Sequence, residues 1–157
     1  MAHDSEIKQA RNLAYRYLSY RDRSTHEVKT HLLKKEISCD TVEEVLEDLK
    51  RLNYLNDARF AEQWGQARQQ NKLVGKFRLR QELLQKGLEP DLVENTLEGL
   101  YDAGNELELA QACAQTRSKA LKGLEPSTQK RRLAQFLQRK GYSGEVIYQI
   151  LDDWQNP

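Results

Sequence analysis

The sequence predicts an all-α fold of three tandem three-helix, helix-turn-helix-like repeats, stacked into an elongated array that is free to curve. Three observations predict it. The chain holds 23 Leu against 4 Ile and 6 Val. Leu, Glu, Lys, Arg and Gln favour helix, and scarce β-branched residues leave little for a sheet. Apolar residues recur at helical spacing, as in Val42, Val45, Leu46, Leu49 and in Val146, Ile147, Ile150, Leu151, Trp154. The apolar pattern is itself repeated. Val28, Leu32, Leu33, Ile37, Val42, Leu46 and Leu49, moved by 51 positions, fall on Leu79, Leu83, Leu84, Leu88, Val93, Leu97 and Leu100. A further 54 positions give Leu133, Leu137, Tyr142, Ile147, Leu151 and Trp154, with Gln138 alone breaking the pattern beside Phe136.

The repeats divide the chain into units 1–53, 54–104 and 105–157. The first is expected to hold helices Ser5–Tyr20, Ser24–Lys35 and Asp40–Leu52. The second holds Asn56–Gln70, Gly75–Lys86 and Pro90–Tyr101, and the third Glu106–Lys122, Ser127–Lys140 and Ser143–Trp154. Ser24 and Asp40 suit N-caps, Pro90 a first helical position, and Gly87 and Gly141 the left-handed residue after a helix end. Lys122-Gly123-Leu124-Glu125-Pro126 reads as a hinge for the third unit. A unit of about 50 residues buries little alone, so the units should stack on one another.

Charge excludes a globally basic nucleic-acid binder: 25 bases and 24 acids leave +1. The distribution is nevertheless uneven. Residues 15–35, 59–86 and 109–140 are basic, whereas 36–48 and 89–108 hold acids and no base. First and second helices are therefore basic, and the third helices of the first two units are acidic. Helix dipoles account for Lys34, Lys35, Lys86, Arg139 and Lys140 at C-termini. They do not account for Arg78, Arg80, Lys130, Arg131 and Arg132, which lie early or midway in their helices. A basic face repeated along an array suits a polyanion or a filament built around one.

No catalytic constellation emerges, and no enzyme, cofactor or metal is expected. His26 and His31 stand at i and i+5, not the i, i+4 spacing of a zinc-protease helix. Cys39 and Cys113 form no motif and are expected as reduced thiols. Paired acids such as Glu43-Glu44 fit solvated helix faces, and Trp64 and Trp154 fit core positions better than a stacking platform. A groove-reading helix-turn-helix is disfavoured, because the helix after the Lys86–Pro90 turn carries Asp91, Glu94 and Glu98, which phosphates repel. Apolar runs of two or three residues exclude a spanning helix of about 20. The polar start Met1–Glu6 shows no secretory signal, and a cytoplasmic location is expected.

Three blocks resemble a known family. Leu18-Ser19-Tyr20-Arg21-Asp22-Arg23-Ser24-Thr25-His26-Glu27-Val28 is similar to the first-repeat signature of RecX, the bacterial regulator of the RecA recombinase. Tyr54-Leu55-Asn56-Asp57-Ala58-Arg59-Phe60-Ala61 resembles the opening of its second repeat, with Asn56 where the family often has an acid. Gly75–Leu88 resembles its most recognisable block, and Lys130–Tyr142 its third-repeat element. The resemblance spans about residues 10–155. It implies tandem three-helix repeats and a non-enzymatic protein that binds RecA filaments on single-stranded DNA, inhibiting ATP hydrolysis, strand exchange and coprotease action. DNA repair, recombination and the SOS response are the implied setting.

Basic face and resemblance meet in one expectation: a monomeric array lying along the groove of a nucleoprotein filament. The expected contacts to the recombinase, or to single- and possibly double-stranded DNA through phosphates, are Arg21, Arg23, Arg68, Lys72, Lys76, Arg78, Arg80, Lys130, Arg131 and Arg132. The alternatives are a general single-stranded DNA-binding protein and a protein-only helical scaffold.

Overall fold

A computed structural model describes residues 1–154, so the expected end of the third unit at 155–157 lies outside the described residues. Among them are nine helices and no strand: α1 Ala2–Tyr20, α2 Thr25–Lys34, α3 Cys39–Arg51, α4 Asp57–Lys72, α5 Lys76–Gln85, α6 Pro90–Leu100, α7 Ala103–Leu121, α8 Pro126–Lys140 and α9 Gly144–Asp152. The all-α reading and the order of its helices hold. Two starts differ most from expectation, Ala2 for Ser5 and Ala103 for Glu106. The second is fixed by a capping box in which the Asp102 and Asn105 side chains each take the other's backbone amide. Ser24 caps α2 as expected, but the N-cap of α3 is Ser38, and Asp40 lies inside the helix. Cys39 is the first residue of that helix.

Side-by-side packing joins α1, α2 and α3, then α4, α5 and α6, then α7, α8 and α9. Each triad closes over its own apolar cluster. The first holds Val28, Leu32, Val42, Val45, Leu46 and Leu49, the second Leu79, Leu83, Val93 and Leu97, the third Leu133, Leu137, Val146 and Ile150. Small residues on the first helix of each triad, Ala10 and Ala14, Ala61 and Gly65, Ala110 and Cys113, let its neighbours approach closely. The accessible surface is 9747 Å². A compact monomer of this mass exposes about 8,100 Å², so the array is extended.

Two details of the repeat are corrected. Leu33 and Leu84, matched across repeats as apolar positions, are 40% and 43% exposed. They are not core, which is why Gln138 is tolerated at the third equivalent. In α9 the buried residues are Val146 and Ile150, while Ile147 and Leu151 are only half-buried. Past the α8–α9 turn the register is therefore 53 positions from the second unit, not 54. Trp154 lies just beyond α9, half-buried.

The second helices of the triads stand end to end. The C-terminus of α8 meets the N-terminus of α5. There the Gly75 amide donates to the Lys140 carbonyl at 2.6 Å and the Phe77 amide to the Gly141 carbonyl at 3.0 Å. The C-terminus of α5 meets the N-terminus of α2, where the Ser24 hydroxyl donates to the Lys86 carbonyl at 2.7 Å. The result is one column, α8–α5–α2, in which orphan carbonyls at the end of one helix accept from donors at the start of the next. Gly87 and Gly141 sit at the two joints with φ of +79° and +96°. The expected left-handed C-caps thus double as contact points between units. Glu36 takes the equivalent place in the first unit at φ +64°. The Lys122–Pro126 segment is not a hinge between units. It joins α7 to α8 inside the third triad, and the buried Gln129 amide donates to the Leu121 carbonyl across it at 2.9 Å.

Candidate partner-binding surface

The ten basic residues expected to make contact fall into two groups. Five are held within the protein. Arg68 reaches from α4 to α5 and grips Glu82 with two nitrogens at 2.8 and 2.6 Å. Burial by itself would raise the Glu82 carboxyl, but the hydrogen bond and charge of Arg68, with Trp64 and Arg78 nearby, outweigh it and hold the group below the usual range. Arg78 adds a contact to the same carboxylate at 3.5 Å. Arg80 grips Glu94 of α6 at 2.6 and 3.1 Å. That hydrogen bond raises the guanidinium still higher and lowers the Glu94 carboxyl.

Arg21 and Arg23 belong to a cluster at the α5–α2 joint. Arg21 meets Glu27 at 2.7 Å, and Lys86 approaches the same carboxylate from the neighbouring triad at 3.4 Å. The Lys86 ammonium lies 4.6 Å from the centre of the Trp64 ring, and the Arg21 guanidinium 5.8 Å from it. Burial opposes the Glu27 charge, yet the Ser24 amide, Arg21 and Lys86 hold its carboxyl below the ordinary range. Arg23 stacks on Tyr17 at 3.9 Å, and the other partner of that ring is His31, parallel at 4.0 Å. His31 is therefore a packing residue of α2, while His26 stands against Gly87. Burial, then Lys35, Arg23 and Lys34, push the His31 imidazole toward its neutral form.

The other five, Lys72, Lys76, Lys130, Arg131 and Arg132, have no carboxylate within 4.0 Å among the described residues. Indeed no ion pair among the described residues involves any residue beyond Glu94. All eight bases of the third triad stand outside ion pairs. Arg117 stacks over Phe136 at 5.1 Å, and the Lys140 ammonium donates to the Lys72 carbonyl at 2.8 Å. The remaining cations of that triad, Lys119, Lys122, Lys130, Arg131, Arg132 and Arg139, are exposed. The basic face is thus not evenly available along the array. It is partly neutralised in the first two triads, where Arg16, Lys34, Lys35, Lys72 and Lys76 stand outside the ion pairs of the described residues, and open throughout the third.

Sequence reasoning missed the neutralisation, although a signal was present. Lys29 and Glu43, Arg80 and Glu94, and Arg68 and Glu82 are all opposite charges 14 positions apart. The first two pairs are equivalent across repeats, at 3.1 and 2.6 Å. The equivalent of the third is the Tyr17–His31 stack, so one contact site carries an ion pair in one triad and stacked rings in another.

Comparison with known proteins accords with this arrangement. Family models for the first, second and third three-helix domains of RecX match residues 10–49, 56–97 and 105–151 in order. The regulatory protein RecX of Bacillus pumilus is 36% identical over 149 residues, covering 94% of this chain and 56% of that protein. The chain thus spans little over half of that relative. The regulatory protein RecX of Prosthecochloris aestuarii is 34% identical, with 96% of each covered. The crystal structure of RecX from Lactobacillus salivarius superposes with a TM-score of 0.85 at 25% identity, covering 96% of this chain and 97% of that one.

Proposed function

The chain belongs to the RecX family, and on that premise we propose that it is a regulatory protein that binds RecA nucleoprotein filaments. It inhibits their ATP hydrolysis, strand exchange and coprotease action in DNA repair, recombination and the SOS response. It acts as a cytoplasmic monomer built of modules 1–53, 54–104 and 105–157, and performs no chemistry of its own. The observation that carries this reading is the run of three RecX domain matches, in order, over residues 10–151. Among the described residues no helix is long and apolar enough to cross a membrane.

The column α8–α5–α2 supplies a stiff spine along which several protomers of a filament are touched at once. Lys72, Lys76, Lys130, Arg131 and Arg132 face acidic recombinase surface or DNA phosphates. Arg21, Arg23, Arg68, Arg78 and Arg80 hold the triads in shape and reach a partner only by exchanging an internal carboxylate for an external one. A ligand shifts a conformational equilibrium only by binding one state better. Inhibition therefore requires that the array fit one filament state and not the other.

The test is recombinase ATP hydrolysis on single-stranded DNA, titrated with this protein beside a binding curve for bare DNA. Inhibition at concentrations well below the bare-DNA dissociation constant is expected. Equal concentrations indicate strand coating, and no inhibition leaves a scaffold with another partner.

A further inference from the structure

Where the first two triads carry an ion pair, the third carries an open groove. In those triads a base on the second helix meets an acid on the third: Lys29 with Glu43, and Arg80 with Glu94. Carried into the third triad by the registers of α8 and α9, Arg80 and Glu94 fall on Ala134 and Ile147. Neither side chain spans the gap. With Phe77, Gln138, Tyr142 and Gly144 they line a groove of about 520 Å³ beside the α8–α5 joint. Phe77, from the neighbouring triad, is 49% exposed there. Its equivalent at the other joint is His26, which stands against Gly87.

The groove is apolar inside and cationic around. Lys130 and Arg131 lie one turn before Ala134 on α8 and share its face. Neither has a carboxylate within 4.0 Å among the described residues, and the acid beside Phe77, Glu94, is already held by Arg80. The volume accommodates one or two bulky side chains, not a folded domain.

We propose that this groove is the docking site for a short acidic segment of a protein partner, with one bulky apolar side chain inserted beside Phe77 and flanking carboxylates on Lys130 and Arg131. On the reading given above, the segment belongs to a recombinase protomer. A nucleic acid fits less well. The next exposed apolar residue along α5 is Leu84, so no series of rings receives successive bases.

Two variants test the docking site. Gly144→Leu fills the groove from its edge. A Cβ at Gly144 meets nothing within 4 Å, and Leu suits a helix better than Gly, so the fold is retained. Lys130→Glu with Arg131→Glu reverses the rim. Binding is measured to preformed recombinase filaments on single-stranded DNA, to a labelled peptide alternating Glu-Glu with Phe or Leu, and to bare oligothymidylate, with thermal melting as the check on folding. Both variants are expected to weaken filament binding by at least about tenfold, with melting unchanged and Gly144→Leu leaving oligothymidylate binding unaltered. Filament binding within about twofold of the parent for Gly144→Leu overturns the proposal. So does a loss that appears equally with oligothymidylate, which makes the occupant a nucleic acid. If the parent binds no filament, the regulatory reading fails, and the peptide decides the groove: binding that Gly144→Leu abolishes upholds it, and no binding overturns it.

Discussion

Gly141 at the end of α8 lies so close to Arg78 of α5 that a Cβ on the glycine would clash with the Arg78 amide nitrogen. The same closeness lets the Gly141 carbonyl accept from the Phe77 amide. One residue is thus required to be glycine twice, by its φ of +96° and by the helix that abuts it.

Gly141→Ala should open this joint. Positive φ and the clash together should cost at least about 2 kcal/mol. Gly123 supplies the control, since its φ is +82° but a Cβ there meets nothing within 4 Å, so Gly123→Ala should show the smaller cost of the backbone alone. Amide exchange separates them: the Gly75 and Phe77 amides should exchange faster in the Gly141 variant only.

Ser24 serves both sides of the other joint. Its hydroxyl accepts from the Glu27 amide at 3.1 Å and donates to the Lys86 carbonyl at 2.7 Å. Ser24→Ala should therefore cost about 1–2 kcal/mol, a lost cap plus an unsatisfied carbonyl. Ser143 caps α9 with no second partner among the described hydrogen bonds, and Ser143→Ala should cost about 1 kcal/mol or less. Denaturant unfolding of the two variants checks the order.

Acid should loosen the array at two half-buried carboxylates. Glu27 and Glu82 both titrate lower folded than free. Their contribution is thus fully present above the ordinary glutamate value of about 4.3 and is lost as pH falls below it through the folded value. The variant Glu27→Gln with Glu82→Gln should be less stable at neutral pH and should lose less on acidification. Melting temperatures across that range measure both effects.

The two groups of cations should separate stability from binding. A double-mutant cycle on Arg68 and Glu82 should return about 1 kcal/mol of coupling. Reversing Lys130, Arg131 and Arg132 together should leave melting unchanged and weaken inhibition of the recombinase by about tenfold or more. If inhibition survives that reversal intact, the open cations of the third triad are not the contact.

Much of the fold was legible because helix signals are local. Ser24, Pro90, Gly87 and Gly141 mark helix ends in the sequence, and the Val28–Leu49 pattern shifted by 51 marks the second copy. The misreadings were also local in form. Leu33 and Leu84 share an apolar spacing with core residues yet face outward, since a helix has more apolar residues than one face can bury. Asp40 and Ser38 are both plausible caps, and only the path of the chain after Ile37 selects Ser38. The candidate surface was less legible: of the ten bases read as contacts, five are held by internal partners that the sequence does not display as neighbours.

Periodicity and punctuation along the chain determined the class, the number of copies and most of the helix ends, because each rests on contacts within a few residues. Which cations remain available was decided by the tertiary structure alone. An arginine is neutralised or free according to which helix faces it, and α5 faces Glu94 where α8 faces Ile147. Coulomb attraction acts on distance in space, and neighbours 14 positions apart become neighbours only when the helices pack.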